Sequence, residues 1–94
     1  MKRIVYSIHL RFRLKLRIIP RSLPLKIYRL AKEHYFDTGT LKHVAVTRTR
    51  FKGKMREMAV VYREEMERVV LISIHPLKIF QKTNRIKSGL WKRI

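Results

Sequence analysis

Three apolar runs rich in β-branched residues, separated by short turns, place the strongest constraint on this chain. The runs span residues 43–51, 55–62 and 68–75. A loop of hairpin length, Lys52-Gly53-Lys54, joins the first two, and the charged segment 63–67 joins the last two. We therefore predict a three-stranded antiparallel meander. The third run lacks polar alternation, so we expect it to be central in the sheet or covered on both faces.

Residues 8–18 fit a strand and a helix by pattern alone. Apolar residues occupy every even position and His9 or a basic residue every odd one, which is the period of a strand. On a helix, the same segment forms two neighbouring stripes. One stripe would hold Ile8, Phe12, Leu16 and Ile19, and the other His9, Arg13 and Arg17. The pattern leaves both alternatives open.

Residues 22–34 predict a helix, because Ser22 can cap it and Pro24 is tolerated in a first turn. Residues 35–40 predict a short extended piece, and a short helix is expected after Pro76. The fold class expected is α+β, with two N-terminal helices packed on a three- or four-stranded antiparallel sheet. We expect one domain over residues 1–94, with a compact core at 5–76 and a basic C-terminal extension at 77–94.

The charge of the chain indicates a polyanionic partner. Lysine and arginine number 24 against 6 acids, giving a net charge of +18. Residues 1–32 hold ten basic and no acidic residues, and residues 76–94 hold six and none. The hydrophobic content of 46% argues against a disordered basic tail and for a folded core that binds nucleic acid. A chain this short buries a modest fraction of its surface, so a homodimer is a further expectation.

Several classes of site and location are disfavoured. The absence of cysteine excludes disulfides and thiolate zinc sites, and the four histidines lack metal-ligand spacing. The three glycines stand apart, so no phosphate-binding loop is expected and no cofactor is predicted. The longest uncharged stretch, Val69 to Leu77, has nine residues against the roughly 20 of a membrane span. We expect a cytoplasmic protein that does not enter the membrane.

The His9-x3-Arg13-x3-Arg17 element and the tail at 84–91 resemble a known group of proteins. Together with Tyr35-x-Asp37-Thr38 and Ser73-Ile74-His75-Pro76, they are similar to small prokaryotic domains distantly related to RelE/ParE and BrnT toxins. The resemblance implies that residues 8–18 are helical. RelE-like toxins cleave messenger RNA on the ribosome, ParE-like toxins act on gyrase, and BrnT is a ribonuclease. The resemblance thus implies that the chain binds RNA in preference to DNA and that it has an antitoxin protein as a partner.

Metal-free cleavage of RNA requires a base for the 2′-hydroxyl, an acid for the leaving oxygen and positive charge at the phosphorus. His75 is the first candidate, because an ordinary imidazole pKa of about 6.5 suits either proton transfer. Tyr62 is a candidate acid or stacking ring, and Arg85 is the third predicted catalytic residue. The predicted nucleic-acid contacts are His9, Arg13, Arg17, Arg56, Lys87 and Trp91.

Two other functions remain open. A basic module that binds DNA or RNA without catalysis needs only a cationic surface and aromatic rings that stack on bases. A membrane-surface helix at residues 8–19 is the weaker alternative, because its apolar residues do not gather on one helical face. The hypothesis of a toxin-like, metal-independent endoribonuclease depends on whether His75, Tyr62 and the arginines converge.

Overall fold

The structure is a computed structural model that describes residues 2–94. Strands and helices follow one another along these residues as β1 (Arg3–Tyr6), α1 (Ile8–Leu16), α2 (Leu23–Leu30), β2 (Glu33–Asp37), β3 (Lys42–Phe51), β4 (Lys54–Glu64), β5 (Arg68–Pro76), α3 (Gln81–Lys87) and β6 (Trp91–Arg93). The predicted meander is present as β3, β4 and β5. The two predicted N-terminal helices are present as α1 and α2.

The sheet itself differs from the prediction. It has six strands in the order β1-β5-β4-β3-β2-β6, and β1 runs parallel to β5, so a three- or four-stranded antiparallel sheet is wrong. The two outermost strands are only four and three residues long. Segments this short and basic show no alternation by which a strand is recognised. Strand β5 lies between β1 and β4, which confirms the inner position expected from its apolar sequence.

Helix α1 settles the two alternatives for residues 8–18 in favour of a helix. Residues two apart lie about 200° apart around a helix, so apolar residues at every even position form two stripes instead of one strand face. Leu10 and Leu14 form the buried stripe. The other stripe is exposed and consists of Ile8, Phe12 and Leu16.

Helix α2 is shorter than the predicted segment 22–34. It buries Leu23 and Ile27 and ends at Leu30, because residues 33–37 pair with β3 as strand β2. The longest helix, α1, has nine residues. None of the helices formed by residues 2–94 has the length and apolar character needed to cross a membrane.

The turn between β3 and β4 fixes the register of the hairpin. Phe51 pairs with Lys54, which leaves a two-residue loop of Lys52 and Gly53. Both loop residues have a positive φ, 50° and 83°. That conformation is the one that two-residue hairpins favour, and glycine adopts it without a steric penalty.

Different parts of the chain cover the two faces of the sheet. Helices α1 and α2 cover one face, where Leu10, Ile27 and Leu71 belong to one buried cluster. The segment after β5 covers the other face, where Leu77 and Trp91 belong to a second cluster. The residues predicted to form a basic C-terminal extension therefore contribute a helix, an edge strand and buried apolar side chains.

Candidate active site

A concavity of about 220 Å³ lies between α1 and the end of β5. It forms because the pairing of β1 ends at Leu71, while β5 continues to Pro76. Ser7 turns the chain at this point: its backbone N–H donates to the carbonyl oxygen of Leu71 at 2.9 Å. The Ser7 hydroxyl oxygen accepts a hydrogen bond from the Leu10 N–H at 3.0 Å and caps α1. Helix α1 then runs beside residues 72–75 of β5.

Two histidines and two arginines are among the residues that line this concavity. His9, Arg13 and Arg17 come from successive turns on one side of α1, the last of them as its C-terminal capping residue. His75 lines the concavity at the edge of β5 that β1 leaves free, although its register places it on the face of the sheet opposite the buried Leu10 and Leu14. The shared helical side of the first three was predicted from their spacing. Their meeting with His75 depends on the position of α1 beside β5.

His75 has an environment that disfavours its charged form. Burial lowers the pKa of its imidazole from the ordinary value, and the positive charges of Arg85 and Arg17 lower it further. At neutral pH the side chain is therefore a neutral imidazole that can accept a proton.

Lowering the pH is expected to destabilise the protein through His75. In the unfolded chain an imidazole has a pKa of about 6.5, above that of His75 in the folded state. As the pH falls through about 6.5, the unfolded state binds this proton first, so the free energy of unfolding decreases towards the folded-state pKa. The His75 contribution is fully present above that range. Thermal unfolding is measured at about pH 7.5 and about pH 5. The midpoint temperature should fall more between these two pH values in the native protein than in His75→Gln. Equal losses would contradict the assignment.

Acidic side chains are engaged away from the concavity. Within residues 2–94, the salt bridges of carboxylates involve four basic residues: Lys2, Arg63, Arg68 and Lys82. None of the four lines the concavity. Arg13 and Arg17 therefore keep their positive charge available for an anionic ligand.

Tyr62 lies away from His75, which corrects its predicted role as catalytic acid. In the sheet, Tyr62 pairs with Leu71 and His75 pairs with Ala59, and the two side chains point to opposite faces. The Tyr62 hydroxyl lies 2.8 Å from Nδ1 of His34, and its ring stacks on His43 with centroids 5.2 Å apart. Burial raises the pKa of Tyr62 above its ordinary value. It is a core side chain.

Trp91 is also a core side chain, which excludes its predicted stacking on a base. It is 2% exposed, and its indole N–H donates to Oδ2 of Asp37 at 3.1 Å. The ring stacks on Tyr35 with centroids 5.5 Å apart. Arg85 places its guanidinium carbon 5.1 Å from the centre of the Trp91 ring. Arg85 is outside the lining of the concavity and influences His75 through its charge alone.

The two remaining predicted contacts are separate from this concavity. Lys87 is exposed in the last turn of α3, and Arg56 is exposed on β4, where it lines another groove. Sequence reasoning treated His9 only as a phosphate contact and missed it as a second imidazole beside His75. It also missed the pairing of His34 with Tyr62, because His34 was placed in a helix. Once residues 8–16 are helical, the spacing of His9 and Arg13 is the signal for a shared site.

No three histidine, cysteine, aspartate or glutamate side chains in residues 2–94 are grouped so that they could hold a metal ion. The residue types that line the concavity can bind an anion and transfer protons to or from a ligand. Comparisons of this chain with models of protein families, with curated proteins and with solved structures found no match.

Proposed function

We propose that this protein is an RNA-binding, metal-independent endoribonuclease with its active site in the concavity between α1 and β5. The observation that carries the proposal is the meeting of His9, Arg13, Arg17 and His75 around one volume of about 220 Å³. That set supplies a base, an acid and positive charge, which are the three requirements of metal-free phosphodiester cleavage. The depressed pKa of His75 supports the role of base.

In the proposed reaction, neutral His75 accepts the proton of a ribose 2′-hydroxyl. The 2′-oxygen forms a bond to phosphorus, and the bond from phosphorus to the 5′-oxygen of the next nucleotide breaks. His9 donates a proton to that 5′-oxygen. Arg13 and Arg17 neutralise the charge that develops on the phosphoryl oxygens. The products are a 2′,3′-cyclic phosphate and a 5′-hydroxyl, so DNA is not a substrate.

A non-catalytic nucleic-acid-binding module is the second candidate. The observation that favours it is that the salt bridges of residues 2–94 engage only four basic residues, out of 24 in the chain. Such a surface binds phosphates by releasing counterions and needs no catalytic geometry. Binding of this kind would weaken steeply with salt and would be similar for DNA and RNA.

The wider setting of the proposal is an RNA-containing compartment, the cytoplasm. An antitoxin protein is a proposed partner on the resemblance to RelE, ParE and BrnT toxins. Toxicity on expression would accompany this role.

The test is incubation of the protein with end-labelled RNA, bare and on translating ribosomes, in the presence of EDTA. We expect the RNA to be cleaved in the presence of EDTA and the cut ends to carry a 2′,3′-cyclic phosphate. A DNA strand of the same sequence should stay uncut. Cleavage that stops with EDTA, or that extends to DNA, would contradict the mechanism. Salt-sensitive binding with no cuts in either setting would leave the non-catalytic module.

A further inference from the structure

A second and larger groove, of about 760 Å³, lies between strands β3 and β4 and the segment that follows β5. Strands β3 and β4 form one wall, and the segment from Leu77 to Thr83 forms the other. Its basic residues are Arg48, Lys54, Arg56, Lys78 and Lys82. No role in the proposed cleavage has been assigned to it.

The charge of this groove is positive and largely unneutralised. Nζ of Lys82 lies 2.9 Å from a carboxylate oxygen of Glu57 and 3.0 Å from one of Glu33, so these three charges form their own group. The other four basic side chains of the groove form no salt bridge with the acidic residues of the part described, 2–94. A polyanion is therefore the ligand that the groove favours.

Two apolar side chains project from the wall of the groove into solvent. Ile79 is 85% exposed and Phe80 is 72% exposed. They occupy a turn that is held at both ends: the N–H of Lys78 donates to Oε1 of Gln81 at 2.8 Å, and the N–H of Gln81 donates to the carbonyl oxygen of Lys78 at 3.0 Å. The turn therefore presents an aromatic ring to solvent on a defined backbone.

The backbone at Phe80 is unfavourable for an aromatic residue. Its φ is 66°, in the left-handed region that non-glycine residues rarely adopt. The exposed ring gains little from burial, so packing does not compensate for this conformation. A strained residue that displays an aromatic ring above a basic groove is a feature that a ligand can use.

The groove lies close along the chain to the proposed active site. Leu77 lines the groove and follows His75 by two residues on the same segment. Arg85, whose charge lowers the pKa of His75, belongs to α3 together with the groove residues Lys82 and Thr83.

We infer that this groove binds a single-stranded part of the RNA, with an unpaired base stacked on Phe80. The phosphates then lie against Arg48, Lys54, Arg56 and Lys78. The identity of the polymer rests on the proposed function. A single strand is required because the bases of a duplex are already stacked and do not present a free face to an aromatic ring.

The experiment compares binding by Phe80→Ala, Phe80→Trp and Met66→Ala, each combined with His75→Gln so that the RNA stays intact. Met66 is the control, an exposed apolar residue in the turn between β4 and β5. The probes are a single-stranded RNA, a duplex RNA of the same length, polyphosphate and polyglutamate. We expect Phe80→Ala to weaken binding of single-stranded RNA about tenfold, and to leave binding of duplex RNA and polyphosphate unchanged. Phe80→Trp should restore the affinity, with quenching of the new tryptophan on binding.

The inference is overturned if Phe80→Ala binds single-stranded RNA as tightly as the Met66→Ala control does. It is also overturned if Phe80→Ala weakens binding of polyphosphate as much as it weakens binding of single-stranded RNA. It is also overturned if the substitution abolishes binding of polyglutamate and spares RNA, since the groove would then fit an acidic protein segment. The proposed function fails separately. A protein that binds RNA through Phe80 but never cuts it retains the groove, whereas one that cuts RNA with no dependence of binding on Phe80 retains only the active site.

Discussion

Replacing His75 with glutamine is expected to reduce RNA cleavage about a thousandfold, because glutamine keeps a polar side chain but cannot accept a proton. The variant should still fold and still bind RNA, since Arg13 and Arg17 are unchanged. Single-turnover cleavage of labelled RNA in EDTA measures the loss. Fluorescence anisotropy with the same RNA shows whether binding is retained.

The matched control is His34→Gln, which removes a histidine that does not line the concavity. It should cleave at the native rate, although loss of its contact with Tyr62 lowers stability. His9→Gln should lose cleavage to an extent similar to His75→Gln, because it removes the proposed acid. A His75→Gln protein that cleaves within about tenfold of the native rate would exclude His75 as the base.

Replacing Trp91 with alanine is expected to reduce the free energy of unfolding by about 3–5 kcal/mol. The substitution removes a buried ring, its stacking on Tyr35 and the hydrogen bond to Asp37. It also weakens the short strand β6, which is held to β2 over three residue pairs. Natural domains are stable by only about 5–15 kcal/mol, so the variant should be close to unfolding at room temperature. Urea denaturation followed by circular dichroism measures the change.

Phe80→Ala provides the comparison, because it removes an aromatic ring of the same C-terminal segment that is exposed. Its change in stability should stay within about 0.5 kcal/mol. If Trp91→Ala unfolded at the urea concentration of the native protein, residues 77–94 would be a dispensable extension. The second buried cluster would then contribute nothing to stability.

The local sequence pattern was sufficient to predict those strands and helices that show a clear hydrophobic period. The β-branched runs predict β3, β4 and β5, and the cap and apolar face of residues 22–34 predict α2. Strands β1 and β6 carry no such pattern, because each is a few residues long and forms only against an existing strand edge. The six-stranded sheet therefore depends on long-range strand pairing, which cannot be predicted from composition and periodicity.

Part of the candidate site could likewise be predicted from local sequence, and part depends on long-range structure. Helical spacing was enough to place His9, Arg13 and Arg17 together, given that residues 8–16 form a helix. Whether His75 joined them depended on how far β5 extends past β1. The direction of Tyr62 depended on strand register, since Ala59 is the partner of His75 and lies three positions before Tyr62 on β4. Three positions along a strand bring a side chain to the opposite face.

The parallel pairing of β1 with β5 also bears on when the concavity forms during synthesis of the chain. Arg3 pairs with Arg68, so the first strand has no partner until most of the chain has been made. Closing so long a loop is slow, and sheets with distant pairings form late in folding. The concavity takes His9, Arg13 and Arg17 from α1 and its C-cap, and His75 from β5. In a nascent chain, His9, Arg13 and Arg17 are therefore made well before His75, and the concavity is completed only once β5 has been synthesised and has paired.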